Sequence, residues 1–94
     1  IIVCAPLIGP IDLAPYLGPE IEQVSVGGES GPEARVCDYA WVLSLRDQCA
    51  EHDVSFCVHQ TGARLLKDGR LYRIRRQFQH TQARKAGIDF KVGG

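Results

Sequence analysis

Residues 21–31, IEQVSVGGESG, carry the signal that decides the fold. Val24 and Val26 alternate with polar neighbours, the period of a strand with one face turned to a core. The run then breaks into Gly27-Gly28-Glu29-Ser30-Gly31, and a helical pattern follows within ten residues. Strand, glycine loop, helix is the first half of a βα unit. The loop has two readings, a tight strand-to-helix turn with Glu29 in solvent, or one wall of a pocket.

The flanking segments extend the pattern. IIVC (1–4) is a continuous apolar run, expected for a strand buried on both faces of a parallel sheet. APLIGPIDLAPYLGPE (5–20) holds four prolines and two glycines, which prevents a long helix and leaves room for a turn around 13–17. Asp38 is placed to cap a helix over YAWVLSLRDQCAE (39–51), in which Trp41, Val42, Leu45 and Cys49 make one apolar stripe. VSFCVHQ (54–60) is a third strand, and parallel strands joined by crossovers are the economical arrangement. Three such strands with one good covering helix do not close a core. The missing neighbours are expected from another part of the same protein, on its amino-terminal side, or from a second copy of the chain.

The remainder differs in character. ARLLKDGRLYRI (63–74) has Asp68-Gly69 between extended-type residues, a strong hairpin signal. QFQHTQARKAG (77–87) fits a short helix stopped at Gly87, and KVGG (91–94) reads as a loose tail. The expected organisation is therefore parallel βα units over 1–62, then a basic hairpin with helix and tail over 63–94. The fold class is α/β, a partial (β/α) barrel-like parallel sheet fragment with a basic hairpin and short helix at its end.

Composition bounds the function. In 94 residues, 45% apolar and 23% charged is ordinary globular usage. No apolar run approaches the roughly 20 residues that span a bilayer, and no basic leader precedes a signal-like core. Cys4, Cys37, Cys49 and Cys57 form no Cys-x-x-Cys pair, which argues for buried thiols in a reducing cytoplasm and against metal binding. The chain opens in what reads as mid-strand, without methionine, as a fragment or excised domain would. A net charge of zero conceals −7 over residues 1–53 and +7 over 54–94. That asymmetry suits an anionic ligand, or an acidic surface docking on a basic one.

In parallel α/β architectures ligands bind beyond the carboxyl ends of the strands. Those ends carry CAPLIGP, GGESG and HQTG. Gly27, Gly28 and Gly31 allow close backbone approach, Glu29 suits an ammonium group or ribose hydroxyls, and Ser30 donates or accepts. His59 can exchange protons and Gln60 can orient a ligand, although a lone histidine more often bonds backbone. Arg35 can meet an anion or simply pair with Glu33 or Asp38. An alternative, nucleic-acid-binding module occupies 64–85. With Asp68-Gly69 as a two-residue turn, Lys67 faces Arg70 and Arg64 faces Arg73, and Arg75 and Arg76 follow. Phosphates would offset that repulsion, with Tyr72 or Phe78 to stack a base, as would a carboxylate-rich neighbour.

PLIGPIDL, VGGESGPEAR and LRDQCAEHDVSFCVHQTG, in that order, resemble the carboxyl-terminal part of a phage and bacterial family of uncharacterised proteins related to radical SAM enzymes. The resemblance covers 1–62 closely and the basic tail more loosely. It implies a partial (β/α) barrel whose amino-terminal half carries a cysteine-rich iron–sulfur motif, and S-adenosylmethionine as cofactor of a longer parent. Nothing in this chain matches the cluster motif, so no cofactor is expected within it. Radical SAM enzymes hold the methionyl ammonium group with a Gly-Gly-Glu segment, spelled here by Gly27, Gly28 and Glu29. That segment normally follows an early strand, whereas this one comes late. The family also has Glu where Ala5 stands, Trp where Thr61 stands and Lys near His59.

Overall fold

A computed structural model describes residues 1–89 and 91. They form a mixed α/β domain of two three-stranded sheets and two α-helices. The first sheet holds β1 (Ile2–Cys4), β2 (Gln23–Gly27) and β4 (Ser55–Gln60) side by side in that order. All are parallel, with Ile2 opposite Val24 and Val24 opposite Phe56. Alternation decides the faces. Val24, Val26, Phe56 and Val58 are buried on one, while Ser25, Cys57 and His59 stand half-buried on the other.

Helix α1 (Tyr39–Glu51) joins β2 to β4. It starts where expected because the Asp38 carboxylate accepts from the Ala40 amide at 2.9 Å, satisfying one orphan donor of the first turn. Val42, Leu45 and Cys49 are its buried residues and join the cluster of Val24, Val26 and Phe56. Each aliphatic side chain so placed contributes about 1.5–3 kcal/mol.

The connection from β1 to β2 supplies cover that its sequence conceals. Apart from a short 3₁₀ turn (Ala14–Tyr16) it is irregular, as its prolines demand. Yet Leu7, Leu13 and Leu17 are buried in the core. Gln48 of α1 pins the loop by accepting from the Leu13 amide at 2.7 Å and donating to the Ile11 carbonyl at 3.0 Å.

The second sheet pairs β3 (Cys37–Asp38) parallel to β5 (Arg64–Lys67), and β5 antiparallel to β6 (Arg70–Arg73). Asp68 at φ 53° and Gly69 at φ 75° both occupy the left-handed region that a tight two-residue hairpin turn requires. Helix α2 (Arg76–Lys85) buries Gln79 and Ala83 and is followed by Gly87 at φ 65°. Its exit segment covers the outer edge of β4, where Asp89 accepts from the Val58 amide at 2.9 Å. Arg46 on α1 donates to the Ile88 carbonyl at 2.8 Å.

Two expectations need correction or restriction. β1 is not buried on both faces, because it lies at the sheet edge and Val3 is 62% exposed. Of the expected tail, residues 92–94 lie outside the described residues. Among the described residues no helix is long and apolar enough to cross a membrane.

Candidate functional site

Because β1, β2 and β4 run the same way, their carboxyl ends gather at one rim. Backbone bonds tie those ends together. The Leu7 amide donates to Gly27 O at 2.8 Å, Gly28 N to Gln60 O at 3.3 Å, and Ala63 N to Glu29 O at 2.9 Å. The Gln60 side chain donates to Gly28 O at 2.8 Å, so it braces the rim.

The glycines are explained by close approach. A Cβ on Gly28 would strike the Thr61 carbonyl oxygen, and one on Gly27 would strike the His59 ring. Gly62, at φ +82°, would place a Cβ 2.8 Å from Gly28 Cα. The GGESG loop and the 60–63 segment are therefore packed backbone against backbone, with no side chain between them. Gly31, at φ +112°, has open space around it.

Glu29 and Arg35 meet each other. One carboxylate oxygen accepts from the Arg35 amide at 2.9 Å and from Nε at 3.0 Å, and the other accepts from an NH2 group at 3.0 Å. These bonds hold the Glu29 carboxyl down at about 2 and raise the guanidinium of Arg35. Folded-state lowering of a carboxyl pKa means the pair's contribution is complete above the ordinary value of 4.5 and is lost as pH falls toward about 2. Urea midpoints of the chain and of Glu29→Gln should therefore differ at neutral pH and converge in strong acid. A difference that stays constant with pH would contradict the pairing.

His59 has a partner that sequence reasoning missed. Its Nδ1 lies 3.0 Å from Ser25 Oγ, on the sheet face opposite α1. Burial first, then the nearby His80, lowers its pKa, which favours the neutral imidazole. Ser25 was discoverable, since it faces away from the core between Val24 and Val26 and two residues before Gly27. Ser30 is half-buried in the loop.

The basic positions pair as the turn dictates, Arg64 opposite Arg73 and Lys67 opposite Arg70. Every residue of β6 is exposed. Lys67 sits 5.0 Å over the Tyr39 ring and Arg70 lies 5.7 Å from that of Tyr72, contacts that offset part of the charge crowding. Arg75 and Arg76 stand at the start of α2. Burial raises the thiols of Cys37 and Cys49 to about 11, and those of Cys4 and Cys57 also rise, so none is poised as a thiolate. Among the described residues no three His, Cys, Asp or Glu side chains group to hold a metal.

Residues 1–91 match the sequence profile of a family described as "Protein of unknown function (DUF5131)". The chain belongs to this family. No curated protein and no solved structure matches it. In this DUF5131 member, the rim and the basic surface beside it hold the polar groups open to a ligand.

Proposed function

We propose that the chain is the late portion of a barrel-like cytoplasmic protein related to radical SAM enzymes, and that its strand ends form part of a ligand mouth. Gly27, Gly28, Glu29, Ser30 and Gly31 shape that mouth, and Arg35, His59 and Gln60 set its polarity. The observation that carries this reading is the sheet itself. Three parallel strands in the order β1-β2-β4 bring their carboxyl ends together, and the face away from α1 carries an exposed Val3 and half-buried Ser25, Cys57 and His59 where a barrel has its interior. The remaining strands would come from the rest of the parent protein.

The residues of this chain do not fit either cofactor of that enzyme class. Glu29 is already bonded by Arg35, Gly28 is packed on Gly62, and the cysteines are scattered. The cluster and S-adenosylmethionine belong, in this reading, to a longer parent. A parent form carrying a cysteine-rich motif ahead of Ile1 is expected to bind an iron–sulfur cluster, with the visible absorbance that brings. The 94-residue chain alone is expected to show no turnover. Turnover by the chain alone, or a parent that takes up no cluster, would contradict the proposal.

A second reading is favoured by β6, whose four residues are all exposed and place Arg70, Tyr72 and Arg73 on one strand beside Arg64 and Lys67. Such a strand suits the phosphate backbone of a nucleic acid, with Arg75 and Arg76 extending the contact. Binding of mixed-sequence DNA should then weaken steeply with salt, by about tenfold or more between 50 and 200 mM for a few phosphate contacts. Absence of binding at low salt would remove this reading.

A further inference from the structure

The loop that follows β2 and the segment that opens α2 face each other across a cleft. Gly31 and Pro32 form one wall, and Ala63, Ile74 and the neighbouring arginines form the other, in two adjoining lobes of about 340 and 430 Å³. No acidic side chain lines either lobe. Glu29 and Glu33 line the adjacent hollow, where Arg35 neutralises the first of them.

Three separate features of this cleft ask for the same chemistry. Arg64 and Arg73 are cross-strand partners and both line it, so two like charges are held face to face. Neither the Glu29–Arg35 nor the Arg46–Asp47 ion pair involves the cleft. Secondly, α2 starts here, with Arg75 as an N-cap that gives no side-chain hydrogen bond and no acidic residue in the first turn. The amides and positive dipole end of a ten-residue helix thus lie beside Arg75 and Arg76. Thirdly, Gln79 lines the cleft while only 1% exposed. Its NH2 donates to Ile74 O at 3.1 Å, but its side-chain oxygen is buried with no hydrogen-bond partner among the described residues. Buried acceptors are rarely left so, and this one calls for a donor.

We propose that the cleft binds a small phosphate monoester. The dianionic phosphate sits at the start of α2 among Arg64, Arg73, Arg75 and Arg76, whose forked donors match phosphate oxygens. The Gln79 oxygen is closed off from the cleft, so on binding its side chain turns outward to accept from a hydroxyl on the same ligand. Lobes of this size accommodate a sugar phosphate. The cleft adjoins the proposed mouth at Gly31 and rests on that reading for its biological setting alone, because binding is measurable on this chain.

The test is titration of the full chain, followed by amide chemical shifts, with ribose 5-phosphate, inorganic phosphate, ribose and a mixed-sequence oligonucleotide. Saturable binding of ribose 5-phosphate is expected, with weaker binding of inorganic phosphate and none of ribose. Replacing Arg75 and Arg76 together by Gln should weaken ribose 5-phosphate at least tenfold. Arg84→Gln, at the other end of α2, should leave it unchanged. Gln79→Leu should abolish the preference for ribose 5-phosphate over inorganic phosphate while phosphate still binds; Gln79→Glu, which keeps the shape, should lower affinity for both. No saturable binding of either phosphate, an equal loss in Arg84→Gln, or oligonucleotide binding without monoester binding would each overturn the proposal. A parent protein that takes up no cluster would sink the barrel reading and leave this one standing.

Discussion

Replacing Gly62 with alanine should remove about 3 kcal/mol or more of stability, enough to unfold a large share of a domain whose total lies at about 5–15 kcal/mol. Two costs combine at this position. The backbone sits at φ +82°, where a side chain is strained whatever the space, and the added carbon would stand 2.8 Å from Gly28 Cα and 2.9 Å from Gly28 C. Those neighbours are backbone atoms fixed by the bonds from Gly28 N to Gln60 O and from Ala63 N to Glu29 O, so they cannot turn aside. Gly28→Ala should behave similarly, because its added carbon would meet the Thr61 carbonyl. Gly9 is the control, with open space and no unusual backbone angle, and Gly9→Ala should change stability by about 0.5 kcal/mol at most. Urea midpoints at unchanged slope would measure all three. A Gly62→Ala protein as stable as Gly9→Ala would show that the rim is not built by contact between these two segments.

Phe56→Ala should cost about 3–5 kcal/mol. Phe56 is among the largest fully buried side chains, 1% exposed, and lies opposite Val24 in the register between β2 and β4. It belongs to the cluster that includes Leu45 and Cys49 of α1, so its removal opens a cavity between sheet and helix. Phe56→Leu keeps most of the volume and should cost under about 1.5 kcal/mol. Tyr16→Ala, at a ring 69% exposed, should fall within about 0.5 kcal/mol of the parent. Thermal or urea unfolding would rank the three, and a ranking led by Tyr16 would contradict the assignment of the core.

What could be read from the chain beforehand follows from which signals are local. The span of α1 and its cap at Asp38 were legible because the apolar stripe and the capping residue lie within a few turns of one another. The hairpin was legible because Asp68-Gly69 fixes both turn and register. The cover given by Leu7, Leu13 and Leu17 was not, since an irregular proline-rich loop has no period to reveal which residues turn inward. Nor was β3, whose two residues are paired by their neighbour β5 and not by any preference of their own. At the rim, the glycines and Gln60 were identifiable, but partners were not. Arg35 could be matched with Glu33 or Asp38 by proximity in sequence, and the fold matches it with Glu29. His59 and Ser25 lie 34 positions apart, and only strand register brings them within 3.0 Å. The burial of Gln79 within a strongly polar helix had no sequence signal at all.

The parallel gathering of β1, β2 and β4 underlies the rim, the glycine contacts and the cleft beyond them. Cross-strand nuclear Overhauser contacts in solution test it most directly. The account predicts contacts from Ile2 to Val24, from Val24 to Phe56 and from Val26 to Val58, all in the same sense along the chain. Contacts running in the opposite sense, from Gln23 to Gln60 and from Gly27 to Ser55, would contradict it.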